Sequence, residues 1–203
     1  MKGALSLLLL LPCLFLLNCS AAEGAILLFS VLAHEAGHVL CARACGGTLR
    51  SLSLSPAGLT LDLGCDALPY KKELLVHLAG PAANLLLLLP ALFLIRNSLS
   101  ALRLFFFFCN ALLAFLNLLP VRGLDGGRAL YCALCLHLSP DTASLIVGIA
   151  GGIALLFLCH GALHLLFFYH NPSLAVLCLA LLLEEGGLLL RHKKRGTKYP
   201  RSS

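Results

Sequence analysis

Tryptophan is absent from this 203-residue chain, and charge is scarce: Asp, Glu, Lys and Arg together make up 12% of it. Without tryptophan, the aromatic residues that sit at a membrane–water boundary have to be tyrosines, of which there are Tyr70, Tyr131, Tyr169 and Tyr199. So little charge excludes an ordinary soluble domain: a chain that is 60% hydrophobic, with mean hydropathy +0.95, does not stay in water. Long polar linkers and internal repeats are also missing, and the stretch after Leu190 is too short to fold alone. At roughly 20 residues per span, the length admits about five or six helices and no sizeable soluble domain. The net charge of +6 does not indicate nucleic acid, because much of it lies in Arg191, Lys193, Lys194, Arg195, Lys198 and Arg201. A basic run directly after an apolar segment reads as an anchor beside anionic lipid.

The sequence therefore predicts an all-α, polytopic membrane protein. Expected spans are 5–20, 24–44, 74–95, 102–119, 145–168 and 174–190, with a β-hairpin over 48–63 and a basic cytoplasmic tail over 191–203. Residues 5–20 are read as a first transmembrane helix, with a cleaved signal peptide as the alternative. The hairpin is read from alternating residues on either side of Pro56-Ala57-Gly58. Its edge would either bind an extended substrate by strand addition or only pack on the helices. The ten cysteines fall mostly inside apolar segments, where a free thiol behaves as a small hydrophobe. Cys132-Ala133-Leu134-Cys135 has C-x-x-C spacing but no second pair, so a metal there would need ligands from elsewhere. With six spans, Lys2, Arg43, Arg50, Lys71, Lys72, Arg122, Arg128 and the basic tail share one side, whereas Arg96 and Arg103, with Glu23 in the first short loop, face the other. By the positive-inside rule both termini are cytoplasmic.

Chemistry concentrates at His34-Glu35-Ala36-Gly37-His38. On a helix, positions i and i+4 share a face, so both imidazoles can reach one ion, with Glu35 beside any water bound to it. Ionisable residues at membrane depth are costly and mark a functional site. A catalytic zinc takes three protein ligands and keeps one position open. Asp125, between the helix-breaking Pro120 and the pair Gly126-Gly127, is the expected third ligand, on an irregular segment level with the histidines. His160 and His164 also stand four apart, but without an acidic companion they read as packing or interfacial residues. His77 is expected near the cytoplasmic entrance, and Glu184-Glu185 where the last helix leaves the membrane.

With H-E-x-x-H in an early span, Gly80-Pro81-Ala82-Ala83-Asn84 in the next, and Asn117-Leu118-Leu119-Pro120 running on to Asp125-Gly126, the chain resembles the site-2 protease family of intramembrane zinc metalloproteases over about residues 24–130. It is most similar to the compact branch that includes the stage IV sporulation protease acting on a sigma-factor precursor. That branch often carries a C-terminal CBS domain, which the sequence after Leu190 does not match. The resemblance implies Zn2+ on His34, His38 and Asp125, Glu35 as general base, and Asn84 and Asn117 as hydrogen-bond donors to substrate. The two asparagines also fit as interhelical hydrogen-bonding groups, and Asn117 as an N-cap. Implied partners are a membrane-tethered or membrane-associated protein substrate, the lipid bilayer of a bacterial cytoplasmic membrane, and membrane inhibitor proteins, with no nucleic acid. The competing readings are a metal transporter and a catalytically inactive membrane scaffold; neither requires Glu35.

Overall fold

A computed structural model describes residues 20–47, 49–55, 58–63, 68–170, 172, 174–175, 177–179 and 181–183. Five helices and two strands carry the described chain: α1 (Ala21–Ala44), β1 (Leu49–Ser55), β2 (Gly58–Leu63), α2 (Tyr70–Asn97), α3 (Ala101–Asn117), α4 (Asp125–Leu134) and α5 (Pro140–Tyr169). Helical backbone recurs at 174–175, 177–179 and 181–183. The expected first span, the Pro-Ala part of the turn between the strands, Glu184-Glu185 and the basic tail lie outside the described residues.

The protein is mostly helical, and three of its helices, α1, α2 and α5, are long and apolar enough to cross a membrane. Helix α3, at 17 residues, is about 25 Å long at 1.5 Å per residue, somewhat less than a full hydrocarbon core. β1 and β2 pair antiparallel with Leu52 opposite Leu61 and Leu54 opposite Leu59, and the register slips between Leu49 and Ser51.

Start signals move several boundaries from the expected ones. At α1, Ser20 Oγ accepts from the Glu23 amide while Glu23 Oε2 accepts from the Ser20 amide. This reciprocal cap puts Glu23 in the first turn of α1 and not in a loop. At α5, Ser139 caps the Thr142 amide and Pro140 opens the helix, so it starts at 140 instead of 145.

Helix α2 is the hub: α1, α3 and α4 all pack on it, and α4 also packs on α5. Polar groups turn inward and large apolar groups turn outward, the reverse of a water-soluble bundle. Asn84 and Asn110 are 0% exposed, whereas Leu86 is 66% and Phe157 75% exposed. This inversion is what lipid selects, because hydrocarbon solvates leucine and cannot solvate an amide. Close approach of α1 to α2 depends on Gly37, where a Cβ would stand 2.5 Å from the Ala79 carbonyl oxygen and 3.0 Å from Ala83 Cβ.

Gly37→Ala is therefore expected to lower unfolding free energy in detergent by about 1–3 kcal/mol, the usual cost of overpacking. Gly152→Ala, where a Cβ meets nothing within 4 Å, is the control and should be neutral or stabilising by up to about 1 kcal/mol through helix propensity. Denaturation curves of the two variants against the parent test the contrast; equal loss in both would remove Gly37 as the contact that sets helix spacing.

Candidate metal centre

His34 and His38 lie one turn apart on α1, both facing α2 and both at most 5% exposed. Their Nε2 atoms are 3.2 Å apart, and Asp125 Oδ2 stands 3.0 Å from the first and 3.1 Å from the second. Helix α4 brings the carboxylate in. Asp125 is its first residue, following an extended Leu124, which corrects the expected irregular placement. The irregular stretch is residues 118–124 instead, folded back so tightly that a Cβ at Gly126 would strike the Leu118 backbone and one at Gly127 the Val121 carbonyl. Two glycines at the start of a helix are poor for propensity, and here they are required by the backbone overhead.

The far side of each imidazole fixes its protons. His38 Nδ1 lies 2.7 Å from the Val76 carbonyl oxygen, which can only accept, so Nδ1 carries the hydrogen. His34 Nδ1 lies 2.6 Å from Asn84 Oδ1. The Asn84 amide nitrogen donates to the Ser30 carbonyl at 3.0 Å and to Asn110 Oδ1 at 2.9 Å, so its oxygen is the acceptor and His34 Nδ1 is the donor. Asn110 in turn donates to Ser30 Oγ at 3.0 Å and to the Phe106 carbonyl at 2.9 Å. Both Nε2 atoms are thus left as lone pairs, and they meet a carboxylate oxygen. Three acceptors within one small buried space repel unless a cation lies between them. Two neutral imidazoles, each oriented from behind, and a carboxylate are a zinc donor set, so the residues present fit that ion. Gly80 opens the space, since a Cβ there would run into the Nε2 atoms of both histidines.

Glu35 is half-buried beside this triad and within electrostatic reach of His34, His38, Asp125 and Arg128. It is the partly wet member of an otherwise dry cluster.

The other expected residues are placed as follows. Asn84 is fully buried, with both ends of its amide engaged by His34, Ser30 and Asn110. Asn117 ends α3 and donates to the Leu113 carbonyl one turn back at 3.0 Å, and α4 is preceded by Leu124, so Asn117 is not its N-cap. His77 is buried next to Asp125. His160 and His164 are exposed on α5, the latter stacked on Phe168, and join neither of the metal-competent groups found among the described residues. Sequence reasoning missed Asn110, a lone amide after four phenylalanines and a cysteine, and Arg128, whose buried Nη1 has no hydrogen-bond partner. A polar residue isolated in so apolar a run was the available signal for Asn110.

Comparison with known proteins agrees with the motifs. Residues 23–100 match the model of Peptidase family M50, the site-2 protease family. The chain is 35% identical over 108 residues to stage IV sporulation protein FB of Bacillus subtilis, covering 52% of this chain and 38% of that protein. It is 35% identical over 116 residues to a Mycobacterium tuberculosis protein named as a zinc metalloprotease, Rip3, covering 53% of this chain and 30% of that protein. The chain thus spans well under half the length of these relatives. The family match takes in both histidines, Glu35 and Asn84 but ends before Asp125, whose proximity to the histidines is an observation of the fold.

Asn84→Ala should weaken zinc binding roughly 10–100-fold, the usual effect of removing the group that orients a ligating histidine. Asn110→Ala, one link further out, should cost less. Competition with a chromophoric chelator measures both. Unchanged affinity in Asn84→Ala would mean that His34 does not depend on this hydrogen bond.

Proposed function

We propose that this M50-related chain is a zinc-dependent endopeptidase that cuts a membrane-tethered or membrane-associated protein near the cytoplasmic face. The observation that carries the reading is the convergence of His34 Nε2, His38 Nε2 and Asp125 Oδ2 beside half-buried Glu35, inside a bundle whose outward surface is apolar. In this reading His34, His38 and Asp125 hold the ion and leave one position open. A bound zinc supplies Lewis acidity toward a peptide carbonyl and makes a nearby water more acidic.

The protein's own groups do the rest. Glu35 takes a proton from the attacking water on its carboxylate and returns it to the amine nitrogen as the peptide C–N bond breaks. Its half-burial suits this: dry ligands keep the ion's field strong, while the base keeps contact with water. Asn84 is assigned to orienting His34, because its amide is fully engaged there. Asn117, at the α3 end that leads toward Asp125, is kept as the asparagine for substrate backbone. A transmembrane substrate hides its carbonyls in helical hydrogen bonds and must unwind to react. The edge of the β1–β2 pair is the proposed support for the extended segment.

Six spans with both termini cytoplasmic are part of the proposal, supported by the asymmetry of basic residues. Regulated processing of a membrane-associated precursor, a sigma-factor precursor among them, under control of membrane inhibitor proteins, completes the proposal; what similarity to a protein named for stage IV of sporulation supports is a developmental setting.

Glu35→Gln separates this reading from a transporter or scaffold. The variant should keep its zinc and lose cleavage of single-span substrates by about 10²–10⁴-fold, the range attributable to a general base. Equal cleavage by parent and variant would sink Glu35 as the base. Zinc in both with no cleavage by either, and metal flux in liposomes, would favour transport.

A further inference from the structure

His77 is 2% exposed, and its Nδ1 has no hydrogen-bond partner. A buried imidazole nitrogen left this way is costly and calls for a reason. Its other nitrogen, Nε2, faces Glu73 Oε1 at 3.7 Å, longer than a direct hydrogen bond. Glu73 and His77 are one turn apart on α2, so they share a face. The Cys132 thiol, 2% exposed, comes from α4 to complete the group, and donor atoms of all three residues lie within 4.8 Å of one another.

A carboxylate, an imidazole and a thiol are a borderline-soft donor set of the kind zinc takes. The carboxylate–imidazole spacing is also apt, because ligands at about 2.0–2.3 Å from a tetrahedral ion stand roughly 3.3–3.8 Å apart. Glu73 is 24% exposed, which leaves a way in for the ion and a side for a water ligand. An ion on Nε2 forces the His77 proton onto Nδ1. That nitrogen faces Asp125 Oδ1 at 4.0 Å, on the carboxylate whose other oxygen meets His34 and His38. A ligating histidine that turns its second N–H toward a carboxylate is the usual outer-shell arrangement of metal sites.

We propose that Glu73, His77 and Cys132 form a second transition-metal site, taking zinc or a similar divalent ion, that clamps α4 to α2 and so holds Asp125 against the two histidines. Cys132 and Asp125 share α4, while Glu73, His77, Gly80 and Asn84 share α2, so one ion at this point ties the helix that carries Asp125 to the helix that backs the two histidines. The C-x-x-C spacing is incidental, because Cys135 is not in the group and the companions of Cys132 come from another helix. Without an ion, burial and the Glu73 carboxylate push the Cys132 thiol up to about 12, so binding releases its proton. The proposal is independent of the peptidase reading and needs only these three side chains.

Cobalt tests it, because sulfur distinguishes the two centres. The full chain in detergent, stripped with chelator and titrated with Co2+, should take up two equivalents and develop a thiolate-to-cobalt charge-transfer band in the near ultraviolet. The His34–His38–Asp125 centre holds no sulfur and adds only weak visible bands. Cys132→Ser should abolish the charge-transfer band and reduce uptake to one equivalent, while Cys135→Ser keeps both. Glu73→Gln, at a partly exposed position that spares the fold, should weaken the band-forming event at least tenfold. The double variant His34→Ala, His38→Ala should retain the band with one equivalent. A parent protein that binds one equivalent with no such band, or a band that survives Cys132→Ser, overturns the proposal. A parent that binds one equivalent with the band supports it and would count instead against the first centre.

Discussion

The structure depends on one electrostatic constraint: three hydrogen-bond acceptors, two imidazole nitrogens and a carboxylate oxygen, are held about 3 Å apart in a space with almost no water. In water such a cluster would scatter or protonate. Here it cannot scatter, because Val76 and Asn84 grip the imidazoles from behind, and α4 is wedged beneath the turn at 118–122. A cation at the meeting point lowers the energy of the three acceptors. The rest of the bundle can be understood as what it takes to keep that arrangement in a low-dielectric interior.

That requirement explains why the glycines fall where they do. Gly37 admits the α2 backbone, Gly80 leaves room for two imidazole rings, and Gly126 with Gly127 lets α4 slide under the preceding turn. It also explains the polar ladder of Ser30, Asn84 and Asn110 across three helices. A single asparagine at His34 would leave its own amide nitrogen unsatisfied in an apolar core. Asn110 and the Ser30 carbonyl take up those hydrogens, Asn110 finds partners at Ser30 and Phe106, and Ser30 Oγ closes the chain on the Ile26 carbonyl. Each buried polar atom in the ladder passes its requirement to the next helix until backbone carbonyls absorb it.

Much of this was legible in the sequence, and the illegible parts share a cause. His34, Glu35 and His38 announce themselves because helical geometry converts a spacing of four directly into a shared face, and Asp125 because Pro120 and the glycine pair break an otherwise apolar run. The helix α4 was not foreseen, since a start of Asp-Gly-Gly reads as a loop on propensity; contact with Leu118 and Val121, which lie before it, overrides that preference. Asn84 was identified as functional but aimed at substrate. A sequence reveals that an amide lies among leucines and gives no direction for it, and the direction is what separates holding a ligand from holding a substrate. His77 and Cys132 have separate bland readings in the sequence and Glu73 has none, for the same reason: Cys132 is 55 positions beyond His77 by residue number, and only the packing of α4 on α2 unites them.

Access follows from the same geometry. Of the four chemistry-bearing residues, His34, His38 and Asp125 are buried, while Glu35 is half-buried and next to His34 in the chain. Successive helical residues point about 100° apart, so a residue adjacent to a ligand leaves the sealed α1–α2 seam and turns toward the rim of the site. A carboxylate in that position can exchange protons with its surroundings while His34, His38 and Asp125 stay buried. Had Glu35 occupied the inward face, it would have added a fourth acceptor to a crowded cluster. Had it faced fully outward, among Leu28, Leu32 and Leu40, it would have met lipid. The spacing H-E-x-x-H is thus more than a way to bring two histidines together: in a helix whose outer face must remain apolar, it puts the carboxylate between the buried centre and the exposed face.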